Sequence, residues 1–203
     1  MMPIMQNVKG GGTGMGHSRA QKQANHDRIL AAAVDLLRCQ GLDHTGIAEV
    51  MRAAGLTHGG FYSHFERREA MVEEALTDAF AADEARLTKA ASRSDKDRRV
   101  AMIEAYLSPL HRDNPARGCT AAALAGDVAR ADDGVRRIFT EQLERYRDLI
   151  AGLIPTGPEA ARSHALFGIS AMIGALLLSR AVDDETLSDD ILDAARHHLT
   201  ERI

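Results

Sequence analysis

The chain has 203 residues, 45% hydrophobic and 27% charged, with a formal net charge of −4. That length buries a core without disulfide staples, and the composition excludes disorder throughout. Trp is absent and aromatics reach only 4%, which argues against a β-sandwich or barrel and for a mostly helical chain. Charge is uneven along the chain. Residues 1–68 hold 8 Lys and Arg against 5 Asp and Glu, a net +3, whereas the remainder holds 17 against 24, a net −7. A basic head on an acidic body suits a small nucleic-acid reader joined to something else.

Two cysteines, Cys39 and Cys119, without a basic-then-apolar leader, imply a reducing compartment, so the expected location is cytoplasmic. Residues 1–18 are Gly-rich and aperiodic and are expected to form a disordered tail. Within them Gly11 to Ser18 nearly matches the phosphate-cradling pattern G-x-x-x-x-G-K-S. His17 takes the lysine's place and no strand precedes it, so a flexible tail is the better reading.

The first helix is expected over about residues 20–40, with Ile29, Ala33, Leu36 and Leu37 in phase and Gly41 as its stop. A short helix over about 46–54 follows, with Thr45 as N-cap and Gly55 as C-cap. Thr57 can cap a third, over about 58–65. Two short helices around a Gly-containing turn form a helix-turn-helix. Further helices are expected over about 68–91, from near Lys96 to just before Pro109, and over about 120–131. The last three span about 135–153, 159–182 and 185–201, giving nine helices and no strand. Residues 111–118 read as a loop. The most apolar stretch, 165–178, has 14 residues, too few to span a bilayer, and reads as a buried helix.

The segment from Gly41 to Met71 resembles the DNA-binding domain of the tetracycline-repressor (TetR/AcrR) family of bacterial transcription regulators. The most specific residues are Ala54-Gly55-Leu56-Thr57 and Phe61-Tyr62-Ser63-His64-Phe65. The family pattern there is a Gly turn, a small hydroxyl cap, Tyr-x-His-Phe and a basic residue three further on. Arg68 stands where that residue is usually Lys, Arg67 where a small N-cap is usual, and Met51 where Ala is usual. The resemblance implies an all-α fold: a three-helix DNA-binding head over 19–67 and a helical body over 68–203 that binds an effector and forms a homodimer. It also implies a ligand-responsive repressor, not an enzyme, that binds palindromic double-stranded operator DNA as a dimer.

Residue chemistry agrees. Thr57 opens a helix whose free N–H groups suit a phosphate. Tyr62 and His64 can hydrogen-bond phosphate oxygens, and Arg67 and Arg68 open a helix where an external anion would offset the dipole. Gly59 and Gly60 let the backbone approach base edges, leaving His58 with them to set specificity. The DNA-contact set is therefore Thr45, Thr57, His58, Gly59, Gly60, Tyr62, His64 and Arg68, with Arg19 and Lys22 adding backbone contacts. Phe61 and Phe65 read as core. His58 and His64 are poorly spaced for one metal, and the rings of His197 and His198 are expected to diverge, so neither a metal nor another cofactor is expected.

In the body, the helix over 159–182 is apolar nearly all round, with Gly168, Ala171, Gly174 and Ala175 permitting close approach. A two-fold dimer through the last two helices is expected. Met102, Tyr106, Leu124, Phe139, Tyr146 and Met172 are candidates to line an effector pocket, as equally are core roles for each. Cys119 follows Gly118 and opens a helix near Arg117, so it reads either as a low-pKa sensor of electrophiles or as a small packing residue. The rival readings are an all-helical enzyme and an interaction module without DNA contact. Nucleophile elbow, H-E-x-x-H, C-x-x-C and dinucleotide motifs are all missing from the sequence.

Overall fold

Apolar residues at helical spacing, little proline and side-chain caps at the turns dictate a chain of packed helices. The computed structural model describes residues 19–94 and 97–202, and its regular structure is helical throughout that range. The tail over 1–18, with its Gly11–Ser18 stretch, and the start near Lys96 lie outside the described residues.

In the head, α1 (Arg19–Gln40) is followed by α2 (Ile47–Ala53), a 3-10 turn (His58–Ser63) and α3 (Arg68–Ala91). In the body, α4 (Arg98–Tyr106), α5 (Pro109–Arg112), a 3-10 turn (Pro115–Arg117) and α6 (Thr120–Val128) lead to three long helices. These are α7 (Asp133–Ala151), α8 (Pro158–Ala181) and α9 (Glu185–Arg202). The segment 111–118, expected as a loop, thus carries two short helical pieces, and the third helix of the head is a six-residue 3-10 turn.

Caps follow local chemistry. Asp97, Ser108 and Asp132 accept from the backbone N–H three residues on, and Asp184 does the same for Leu187. Thr45 departs from expectation. Gly46 is the N-cap of α2, while the buried Thr45 hydroxyl donates to the Gly41 carbonyl at 2.8 Å. Gly41 itself has φ +86°, and a β-carbon there would collide with the Asp127 carboxylate. Gly55, with φ +67°, makes the turn of the helix-turn-helix.

The core runs unbroken from head to body. Ile29, Ala33 and Leu37 of α1 face Met71, Ala75 and Leu76 of α3, and the same cluster continues through Met102, Leu124, Tyr146 and Leu176. Helix α3 belongs to both halves: it packs on α1 and, further along, on α4, α6 and α7. Helix α8 is long and apolar enough to cross a membrane by length and composition alone. Here Ala161, Ala165, Ile169, Met172 and Leu176 are buried, and the helix packs on α6, α7 and α9.

One charged knot lies inside this core. The Arg38 side chain is 5% exposed and the Asp83 side chain 4%. Arg38 Nη2 donates to Asp83 Oδ1 at 2.8 Å, its Nε to Thr120 Oγ1 at 3.0 Å and its Nη1 to the Ala116 carbonyl at 3.0 Å. Asp83 Oδ2 accepts from the Thr120 backbone N–H at 2.7 Å, and Arg86 adds a further bond to Oδ1. The knot ties α1, α3 and α6 at one point.

Removing one partner of a buried pair strands the other charge, so Arg38→Met is expected to cost about 3–5 kcal/mol of unfolding free energy. Urea denaturation of the variant beside the parent chain measures it.

Candidate functional site

In the head, Phe61 and Phe65 are buried and stacked with centroids 5.5 Å apart, and His26 stacks on Phe65 at 4.6 Å. These rings hold the His58–Ser63 turn against α1. Anchoring the inner side leaves the outer side free: Thr57, His58, Gly59, Tyr62 and Ser63 are exposed, Tyr62 at 64%. Arg28 of α1 bonds the Ala54 carbonyl and braces the turn before Thr57. Thr57 occupies the N-cap position with extended backbone, but its side chain makes no capping bond. Gly60 is half-buried, and a β-carbon there would meet Met51 and Thr57 only at ordinary contact distance. Arg19 and Lys22 lie exposed on the first turns of α1.

Two residues expected in the DNA-contact set, Thr45 and Arg68, are engaged elsewhere, and a third, His64, is half-buried. Thr45 is fully buried, as described above, and cannot reach a phosphate. The half-buried Arg68 donates through Nε to the Thr45 carbonyl at 2.9 Å and through Nη2 to the Leu42 carbonyl, so its guanidinium braces the approach to α2. His64 is half-buried, with Nδ1 lacking a hydrogen-bond partner. Burial, then the neighbouring His26 and Lys22, lowers its pKa below the ordinary histidine value. At neutral pH any contact it makes is that of an uncharged ring. Arg67, the N-cap of α3, makes loose ion pairs with Glu69 and Glu73 at 3.9 and 3.7 Å.

The body contains a cavity of about 510 Å³ between α3, α4, α5 and the start of α6. Of the residues expected to line a pocket, Met102, Tyr106, Cys119 and Tyr146 do so, and Met172 borders a small apolar annex behind Tyr106 and Tyr146. Leu124 and Phe139 line neither space. Leu124 is fully buried among helices, and Phe139 packs edge-on against Phe80 at 5.9 Å. The sequence reading missed the wall from α3 and the turn after it: Asp83, Arg86, Leu87, Lys89 and Arg93. It also missed His111, and it took Arg117 only as a neighbour of Cys119. Arginine and lysine on a long helix look like a solvated face until α4 and α5 fold over them.

Tyr106 and Tyr146 are 7% and 3% exposed; the Tyr146 hydroxyl has no hydrogen-bond partner, and the Tyr106 hydroxyl has only the weakly bonding Cys119 thiol beside it. Burial pushes both phenols well above their ordinary pKa, so at neutral pH both keep their proton and can donate.

Cys119 is buried and is the N-cap of α6. Of its two readings, sensor or packing residue, the surroundings favour the packing residue. Burial, then the Asp83 charge, pushes the thiol pKa up, and the Tyr106 hydroxyl and the N–H groups of Ala122 and Ala121, which act the other way, are outweighed. The physical reason is that Asp83 already occupies the positive end of α6 through Thr120. A buried, protonated thiol is a poor nucleophile.

His111 sets the entrance geometry. Its Nδ1 lies 2.7 Å from the Tyr106 carbonyl and its Nε2 accepts from the Cys119 backbone N–H at 3.0 Å, which fixes the Nδ1–H tautomer. Burial lowers its pKa to about 4; the Tyr106 carbonyl opposes this, and Arg180, Arg86 and Arg38 add to it.

The imidazoles of His197 and His198 do not diverge; their centroids are 5.3 Å apart. With Glu201 they bring ligand atoms within 4.8 Å of one another, all three residues exposed. A zinc ion with bonds of about 2.1 Å needs tetrahedral ligand atoms about 3.4 Å apart. The His197–Glu201 pair stands at 3.4 Å.

A helix-turn-helix head with an exposed reading turn, continuous with a cavity-bearing helical body, defines a DNA-binding transcription regulator. The family described as bacterial regulatory proteins, tetR family, matches residues 29–75, from within α1 through the reading turn into α3. The transcriptional repressor KstR2 of Mycolicibacterium smegmatis is 34% identical over 59 residues, a match spanning 29% of this chain and 29% of that protein. The transcriptional repressor NemR of Escherichia coli is 24% identical over 144 residues, 68% of this chain and 72% of NemR. In structure, the chain is similar to reduced E. coli NemR, with TM-score 0.74, 20% identity, and 88% and 96% of the two chains covered. It is likewise similar to a TetR regulator from Chloroflexus aurantiacus, with TM-score 0.76, 23% identity, and 89% and 96% covered.

His111 gives a pH test. It is held neutral in the folded chain, so its contribution is present above about pH 6.5, the unfolded histidine value, and is lost as pH falls toward 4. On the order of 3 kcal/mol should disappear across that window, and His111→Gln should flatten that part of the curve. Denaturant titrations at stepped pH read both.

Thiol accessibility gives another test. In native protein, alkylation followed by mass spectrometry should label the exposed Cys39 rapidly and Cys119 slowly, with the difference gone in urea. Equally rapid labelling of both would restore the reactive-sensor reading.

Proposed function

We propose that the chain is a homodimeric, ligand-released repressor that works in the cytoplasm. Its reading turn, His58–Ser63, enters the major groove of a palindromic operator, one turn per half-site. The observation that carries this is the two-sided turn: aromatic anchors inside, and an exposed outer surface of Thr57, His58, Gly59 and Tyr62. On this reading Tyr62, Thr57 and neutral His64 bond phosphates, and His58 with the glycines faces base edges. Arg68 acts indirectly, by holding the backbone at Leu42 and Thr45.

The dimer surface fits the outer stripe of α8. Leu166, Phe167, Leu177 and Leu178 are each about half exposed, and Gly174 between them has open space where a β-carbon would stand. Exposed Leu187 of α9 adjoins the same side in this reading. An apolar stripe of this kind on a folded chain is a typical interface signature.

The cavity is the effector site of this reading, and a bound effector has a physical route to the head. Cys119, at the cavity, precedes Thr120, which holds Arg38 of α1. At the far end of α6, Asp127 Oδ2 accepts from the Leu42 N–H at 2.9 Å, just past the end of α1. Movement of α6 therefore pulls on α1 at two points, while α3 forms the opposite wall. An effector that favours the shifted arrangement by a few kcal/mol separates the heads. The buried, protonated Cys119 favours reversible binding over an electrophile as the signal.

The test is titration of labelled promoter DNA from beside the chain's own gene, read by gel shift. Affinity is expected to fall about a thousandfold or more between 50 and 200 mM salt. Tyr62→Phe should weaken all sequences alike without changing the salt slope, while His58→Ala should alter base preference by about 1–3 kcal/mol at one position. Phe167→Glu should give a monomer that no longer shifts the palindrome. An intact dimer without affinity for any such fragment overturns the reading.

A further inference from the structure

The cavity described above carries three features that together specify a ligand. Its rim holds Lys89, Arg93 and Arg117, and among the described residues no ion pair or hydrogen bond occupies any of these side chains. Among the described residues that line it, the one carboxylate, Asp83, is already bonded by Arg38, Arg86 and the Thr120 N–H, so it offers nothing to a cation. Its inner end presents the Tyr106 and Tyr146 hydroxyls, both buried; that of Tyr146 has no partner, and that of Tyr106 has only the weakly bonding Cys119 thiol beside it. Between rim and inner end the walls are apolar, supplied by Leu87, Ala90, Met102 and Ala105.

We infer that this cavity binds an apolar monoanion that carries a neutral oxygen acceptor at its buried end. The anionic group stays at the mouth with Lys89, Arg93 and Arg117. The neutral acceptor, a ketone or similar carbonyl, takes hydrogen bonds from Tyr146 and Tyr106. The polarity cannot be reversed. An anion at the inner end would be stripped of water while the nearby Arg38 and Arg86 are already bonded to Asp83, and a cation at the mouth would face three like charges. Two phenols that stay protonated are donors, so a neutral acceptor satisfies both without burying a charge. The volume, about 510 Å³, lies in the range of small-molecule sites.

This inference rests on the cavity being the effector site, but its chemistry is testable on the full chain without DNA. Isothermal titration calorimetry would compare oxo acids of eight to twelve carbons, 9-oxodecanoate among them, with their methyl esters, the plain alkanoates and the alkylamines of equal length. The oxo acids are expected to bind best, about tenfold or more ahead of the esters, with that margin shrinking in 500 mM KCl. The combined variant K89Q/R93Q/R117Q, all on the exposed rim, should erase the margin over the esters. Tyr146→Phe should erase the margin over plain alkanoates while leaving thermal stability of the free chain unchanged or raised, because it removes an unsatisfied buried hydroxyl.

Esters or amines binding as well as the oxo acids, margins that survive these variants, or no binding across the panel would each overturn the inference. Failure of the regulator reading looks different. A chain that binds oxo acids but never DNA keeps the ligand chemistry and loses the operator. A chain released from DNA by neutral or cationic compounds alone does the reverse.

Discussion

The structure hangs on the buried contact between Arg38 and Asp83. A guanidinium and a carboxylate removed from water are stable together only if every remaining hydrogen-bonding position is filled. Here Thr120, the Ala116 carbonyl and Arg86 fill them, and each comes from a different piece of chain. The first helix of the head is thereby locked to the wall of the cavity in the body. Apolar packing alone leaves α1 and α3 a small set of crossing angles; a knot of directional bonds selects one.

The same carboxylate decides the chemistry at the start of α6. A helix N-terminus attracts negative charge, and two groups compete for it: the Asp83 carboxylate and the Cys119 thiol. Asp83 holds it through the Thr120 N–H at 2.7 Å, so the thiol stays protonated and buried. A feature that looks reactive as isolated sequence becomes part of a neutral, donor-lined recess. His111 reinforces this by bonding the Tyr106 carbonyl on one side and the Cys119 N–H on the other.

At the surface, each half presents what its interior does not need. In the head, Phe61 and Phe65 are spent on holding the reading turn, which leaves the small and polar side chains outward. In the body, α8 uses one face for α6, α7 and α9 and leaves Leu166, Phe167, Leu177 and Leu178 for a neighbour. The division of labour follows from the period of each segment against the number of faces it must cover.

Local signals in the sequence determined the helical class, the order of the long helices, the helix-turn-helix and the burial of Phe61 and Phe65. Spacing, caps and glycine turns act over a few residues, and one segment contains all of them. Tertiary structure alone decided the rest. Thr45 and Arg68 lie in the most recognisable segment of the chain, yet their partners, Gly41, Leu42 and the Thr45 carbonyl, depend on how a turn closes. The cationic α3 wall is joined to Cys119 and the tyrosines only when α4 to α6 fold over it. Arg38 and Asp83 are 45 positions apart, and nothing near either one announces the other. Long-range pairing of charges depends on where helices cross, and crossing points are a property of the packed whole rather than of any local stretch.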